Sequence, residues 1–206
     1  MRRRAAVGAL ALVLVPTASG TESTIYPGVG IGKVKLGMSA AQVRKALGRD
    51  YFVGRRSTVG GVHYVEYQWD FANWTVTFSQ RGRSLRAVQI GTTLRSQRTS
   101  KGVGRGTSWP RLVHTYPGGQ CGWGNPHFSA IGFYLEYLVA RRGGSQTLYL
   151  LEGVYSKALG KIVRYRVLAV LVRTPYEPID GFGANRSYRC SDGWQNATVP
   201  LNVPIR

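Results

Sequence analysis

Three runs in the first half of the chain, "GGVHYVEYQW", "NWTVTFSQ" and "SLRAVQIGTT", are rich in β-branched and aromatic residues and are separated by "DFA" and "RGR". Apolar and polar positions alternate along them with the two-residue period of a strand, and the separators have turn chemistry. The second half repeats the pattern with "IGFYLEYLVA", "SQTLYLLE" and "KIVRYRVLAVLV", separated by "RRGG" and "GVYSKALG". Each half is therefore predicted to hold three strands in an antiparallel meander.

A short helical pattern precedes each set. "GKVKLGMSAAQVRKALG" (32–48) is echoed by "GVGRGTSWPRLVHTYPG" (102–118), with Gly37, Ser39 and Val34 falling on Gly106, Ser108 and Val103. Ser39 and Ser108 sit where an N-cap belongs, accepting from the unpaired amides of the first turn. Val43 and Leu47 are four apart and share a helix face, and Leu112 and Tyr116 repeat the spacing. Gly48 and Pro117-Gly118 stop the two helices. Duplication at this scale predicts an α+β fold of two tandem helix-plus-antiparallel-sheet repeats, side by side, spanning 21–97 and 98–174. The Gly-, Pro- and Asn-rich stretch 175–206 is expected to be an irregular C-terminal wrap.

The run "GMSAAQVRKALG" resembles a helix-start signature, G-M-T-x-x-x-V-x-x-x-L-G. Two groups share it: the β-lactamase inhibitory proteins secreted by actinobacteria, and the SmpA/OmlA lipoproteins of outer-membrane barrel assembly. The resemblance to the inhibitory proteins implies a secreted tandem-repeat protein that docks a protein partner, such as a secreted or envelope enzyme. The inhibitors have a disulfide in each repeat, whereas the first half of this chain has no cysteine. The lipoproteins need a lipidated cysteine, which is also missing after the apolar run at the N-terminus.

That N-terminus, "MRRRAAVGALALVLVPTASG", has three arginines, an apolar run from Ala5 to Val15 and a small-residue exit. It reads as a signal peptide over 1–20, with a secreted, extracellular or cell-envelope destination. Removing its arginines lowers the formal net charge from +19 to +16, carried almost wholly by arginine. Such a charge attracts acidic surfaces. The basic residues are scattered, Arg55-Arg56 and Arg141-Arg142 being the clearest clusters, so no dedicated nucleic-acid arm is predicted. Cys121 and Cys190 in an exported chain predict one disulfide, tying the C-terminal segment to the second half.

No catalytic residue, cofactor or metal site is expected. The segment around Cys121 superficially echoes a cysteine-nucleophile stretch, but no histidine follows His127. His63, His114 and His127 lack metal-ligand spacing, and nine acidic residues in the whole chain leave few carboxylate pairs. Surfaces are the stronger lead. Strand alternation places Trp74, Val76 and Phe78, with His63, Val65, Tyr67 and Trp69, toward the core. The opposite, helix-free face is expected to show Tyr64, Glu66, Thr75 and Thr77 in the first half. Tyr134, Glu136, Arg164 and Arg166 follow in the second. Tyrosine and arginine are favoured interface residues. The chain is thus read as a non-enzymatic protein binder, inhibitor-like, using this sheet surface. The alternative is a binder of polyanions or cell-wall polymers acting through positive charge alone.

Overall fold

The expected alternation becomes hydrogen-bonded strands in the computed structural model, which describes residues 23–123, 135–140, 144–159, 161–174 and 188–189. The first half runs β1 (Thr24–Tyr26), β2 (Gly30–Ile31), β3 (Val34–Lys35), α1 (Ala40–Leu47), β4 (Tyr51–Val59), β5 (Val62–Trp69), β6 (Trp74–Arg81) and β7 (Ser84–Thr92). The second runs β8 (Arg98–Thr99), α2 (Trp109–Thr115), β9 (Gln120–Trp123), β10 (Leu135–Ala140), β11 (Gln146–Ser156), β12 (Lys161–Arg173) and β13 (Tyr188–Arg189). Among the described residues no helix is long and apolar enough to cross a membrane.

The fold class differs from the one predicted. Among the described residues the molecule is mainly β, with one nine-stranded antiparallel sheet in the order β13-β9-β10-β11-β12-β7-β6-β5-β4, not two helix-plus-sheet repeats side by side. The reason is the pairing of β7 with β12, from Gln89↔Arg173 to Thr92↔Val170, which joins the meanders by backbone hydrogen bonds. Each meander also gains an outer strand, β4 or β9. A small second sheet, β3-β2-β1-β8, lies over the large one. The segment 175–206 lies outside the described residues apart from Tyr188 and Arg189, which add β13 to the β9 edge.

The helices are short because their stop signals come early. In α1, Ser39 Oγ accepts from the Gln42 amide at 3.3 Å while Gln42 Oε1 accepts from the Ser39 amide at 2.8 Å. This reciprocal box fixes the first turn, and Gly48 at φ 98° ends the helix. In α2 Pro110 occupies the first turn, and the Ser108 side chain makes no cap hydrogen bond.

The echoed segments do share one local job. The Gly37 amide donates to the Ala87 carbonyl and the Ala87 amide to the Met38 carbonyl, both at 2.8 Å. Correspondingly, the Gly106 amide donates to the Val167 carbonyl at 2.7 Å and the Val167 amide to the Thr107 carbonyl at 2.8 Å. The two hooks lie at opposite ends of the β7–β12 pairing, Ala87 beyond the Gln89↔Arg173 end and Val167 beyond the Thr92↔Val170 end, so each strand is held past the pairing by the lead-in to one helix. Gly37 and Gly106 have φ of 82° and 87°, a backbone region in which glycine carries no Cβ penalty.

The core lies on the face carrying the helices. Ile25, Ile31, Val34, Val43 and Leu112 bury against Trp74, Val76, Phe78, Ile90, Tyr149 and Val170. Burying a large apolar side chain contributes about 1.5–3 kcal/mol, so this layer dominates stability. The back face has a smaller buried cluster, Leu148, Leu150, Ala169 and Leu171, with Leu138 against it.

Candidate functional site

Register assigns each expected surface residue to a place. Tyr64, Glu66, Thr75 and Thr77 all point from the back face, with pairs Tyr64↔Ser79, Glu66↔Thr77 and Gln68↔Thr75. They do not form an open surface. Tyr64 is 3% exposed and Thr77 5%, while Glu66 and Thr75 are half-buried. Gln68 donates a short hydrogen bond to Glu66 Oε1. In the second half Arg166 lies opposite Glu152 and donates through Nε to Oε1 at 2.7 Å. Arg164 is exposed, opposite Val154. Glu136 has strand backbone opposite Leu150, and Tyr134 lies outside the described residues. Strand β7 lies between the strands that carry the two groups. Cys121 is 1% exposed, and no cysteine among the described residues is free. Cys190 lies outside them.

The front face offers a different feature. Pairing across four strands builds two adjacent rows. The outer row is Thr58, His63, Gln80 and Leu85, and the next is Arg56, Val65, Phe78 and Ala87. Phe78 and Ala87 are fully buried in the core, whereas Val65, Tyr67 and Leu85 are only half-buried. The outer rows line an open groove of about 530 Å³ in which the apolar Val65, Tyr67 and Leu85 lie among the polar Thr58, His63 and Gln80. Arg56 and Arg83 stand on its rim, both exposed. His63 is exposed beside them, and its Nδ1 is 2.8 Å from Thr58 Oγ1. Tyr67 stacks on Tyr51 with ring centroids 4.6 Å apart and tilts against Phe78 at 5.0 Å.

The groove's electrostatics follow from the two hairpins that make it. Residues 54–64 and 78–88 carry Arg55, Arg56, Arg81, Arg83 and Arg86 and no aspartate or glutamate. Guanidinium groups keep their charge at any physiological pH and match a carboxylate with two parallel donors. The arrangement can hold an anion against an apolar surface. Among the described residues no three His, Cys, Asp or Glu side chains come together in a way that would hold a metal ion. Sequence reading missed the groove because "RR" and "RGR" lie 25 residues apart and meet only through the β4-β5-β6-β7 register. The available signal was the run of basic turn residues without an acid.

No family model and no curated protein matches the chain. Among solved structures, the uncharacterized protein yfeY from Escherichia coli is similar, with a TM-score of 0.45 and 16% identity over 74% of this chain and 99% of that one.

Proposed function

We propose that the chain is an exported, non-enzymatic binding protein that docks a protein partner through the front-face groove between the β4–β5 and β6–β7 hairpin tips. One observation carries this reading: Arg56 and Arg83, with no acid in either hairpin segment, share a groove with the half-buried apolar side chains Val65, Tyr67 and Leu85 at the edge of the core. Val65, Tyr67 and Leu85 pack against the core and keep part of their surface at the groove, and interfaces favour an apolar centre with an arginine rim. The helix-start resemblance points to a secreted or envelope enzyme as the partner class. A bridge between Cys121 and Cys190 belongs to the same exported reading. Peptide mapping without reductant is expected to join the two cysteine peptides, and two separately alkylated peptides would contradict it.

The competing reading, polyanion binding through bulk charge, is favoured by the formal net charge of +16 that remains once residues 1–20 are removed. Rising salt separates the two. Tagged protein from Thr21 onward is incubated with host-culture supernatant and wall fractions and then eluted. A discrete protein retained well above physiological salt fits a shaped interface. Broad retention on acidic material that collapses at moderate salt fits charge alone, because exposed charges are screened over about 8 Å at physiological ionic strength.

A further inference from the structure

Resting on the binding reading above, we infer that the groove takes an extended acidic peptide segment of the partner, with one aromatic or aliphatic side chain seated on Val65, Tyr67 and Leu85. Its flanking carboxylates would pair with Arg56 and Arg83. Four features select this class. The rim arginines suit carboxylate oxygens. Val65, Tyr67 and Leu85 put apolar surface in the groove, which a polyphosphate or sulfated polymer paired with the arginines would leave facing water. The site is a recess, whereas a bilayer surface is flat and would reach the hairpin tips without entering it. Thr58, His63 and Gln80, each exposed along the outer row, supply donors and acceptors for the backbone of an extended chain.

A second copy of this chain is the poorer occupant. It does present an acid beside an apolar side chain, at Asp70 and the 97% exposed Phe71. Two molecules each carrying a formal charge of +16 once residues 1–20 are removed repel one another, however, whereas an acidic segment is drawn in.

The test uses fluorescein-labelled peptides and the protein from Thr21 onward. One peptide carries four glutamates around a single Phe, the second replaces Phe by Ala, and the third replaces the glutamates by Gln. The first is expected to bind, and each other peptide to bind about tenfold or more weakly. The double variant R56E/R83E is expected to weaken the first peptide by about tenfold or more, while R49E/R95E, with the same charge change at exposed sites elsewhere, changes it less than about threefold. A circular dichroism melt confirms that both variants fold. Equal loss in the two variants, or indifference to the Phe, would overturn the inference in favour of bulk charge. Tighter binding of inorganic polyphosphate or of phosphatidylglycerol vesicles than of the first peptide would overturn it too, as would concentration-dependent self-association that the peptide cannot compete. If R56E/R83E still captures a discrete partner at high salt, the inference fails while the binding reading stands.

Discussion

At the scale of single residues, the turn between β5 and β6 is the least expected feature. Asp70, Phe71 and Ala72 have φ of 48°, 49° and 67°, three successive non-glycine residues in the left-handed region. Each L-residue there costs roughly 1–2 kcal/mol. The turn is held by the Asn73 amide on the Asp70 carbonyl at 2.9 Å and by Thr93 Oγ1 on Asn73 Oδ1 at 2.7 Å. Phe71 is 97% exposed and contributes no packing, so Phe71→Gly removes strain without opening a cavity. The variant is expected to be more stable by about 0.5–1 kcal/mol after the unfolded-state entropy of glycine is offset. A urea midpoint that rises at constant slope checks this, and an unchanged or lower midpoint contradicts it. Sequence reading took "DFA" as a turn but could not see its handedness, because none of the three residues is a glycine that would announce it. It placed Val65, Tyr67 and Trp69 on the inward face, as the register does, since alternation carries that information locally.

Among elements, the two helix starts and β5, β6, β7 and β12 were legible, because a Gly-x-Ser lead-in or a run of β-branched and aromatic residues marks each within a few residues. Strand β4 was not. Its run "YFVGRRSTV" is broken by a bulge between Val53 and Arg56, which erases the two-residue period and puts two arginines where alternation would place one. The two-residue strands β2, β3 and β8 are too short to have a period at all. The lead-in hooks make a prediction at this scale. A Cβ at Gly37 or Gly106 would meet nothing within 4 Å, so the cost of alanine there is conformational only. Gly37→Ala and Gly106→Ala are each expected to destabilise by about 1 kcal/mol, and the double variant by about the sum. Denaturant titration of the three variants checks this. A silent substitution at either site would mean that its hook is not under conformational demand.

For the whole molecule, what could not be read was the join between the halves. The β7–β12 pairing links residues about 80 apart in sequence, and nothing local to either strand specifies its neighbour. Repetition suggested two separate units, while the backbone hydrogen-bonding potential of two inner edges closes them into one sheet. The second-half core of that sheet carries a pH signature. Burial pushes the Tyr149 hydroxyl far above the ordinary tyrosine range, with neighbouring Tyr116 adding to it, and burial also raises Tyr137 and Tyr165. An unfolded tyrosine ionises near about pH 10. Above that pH the unfolded chain releases protons that the folded chain retains, so stability is full below about pH 10 and is lost as pH climbs toward the folded values. Melting temperatures between about pH 8 and 11.5 are expected to fall steeply past about pH 10, and less steeply in Tyr149→Phe. Equal slopes in the two proteins would contradict this assignment.

The central claim is that a shaped groove, and not bulk charge, does the binding. Retention of partner material above physiological salt by the unmodified protein, R56E/R83E and R49E/R95E tests it most directly. The account predicts a discrete retained protein that R56E/R83E loses and R49E/R95E keeps. Parallel loss in both variants, or retention of nothing discrete by any of the three, would contradict it.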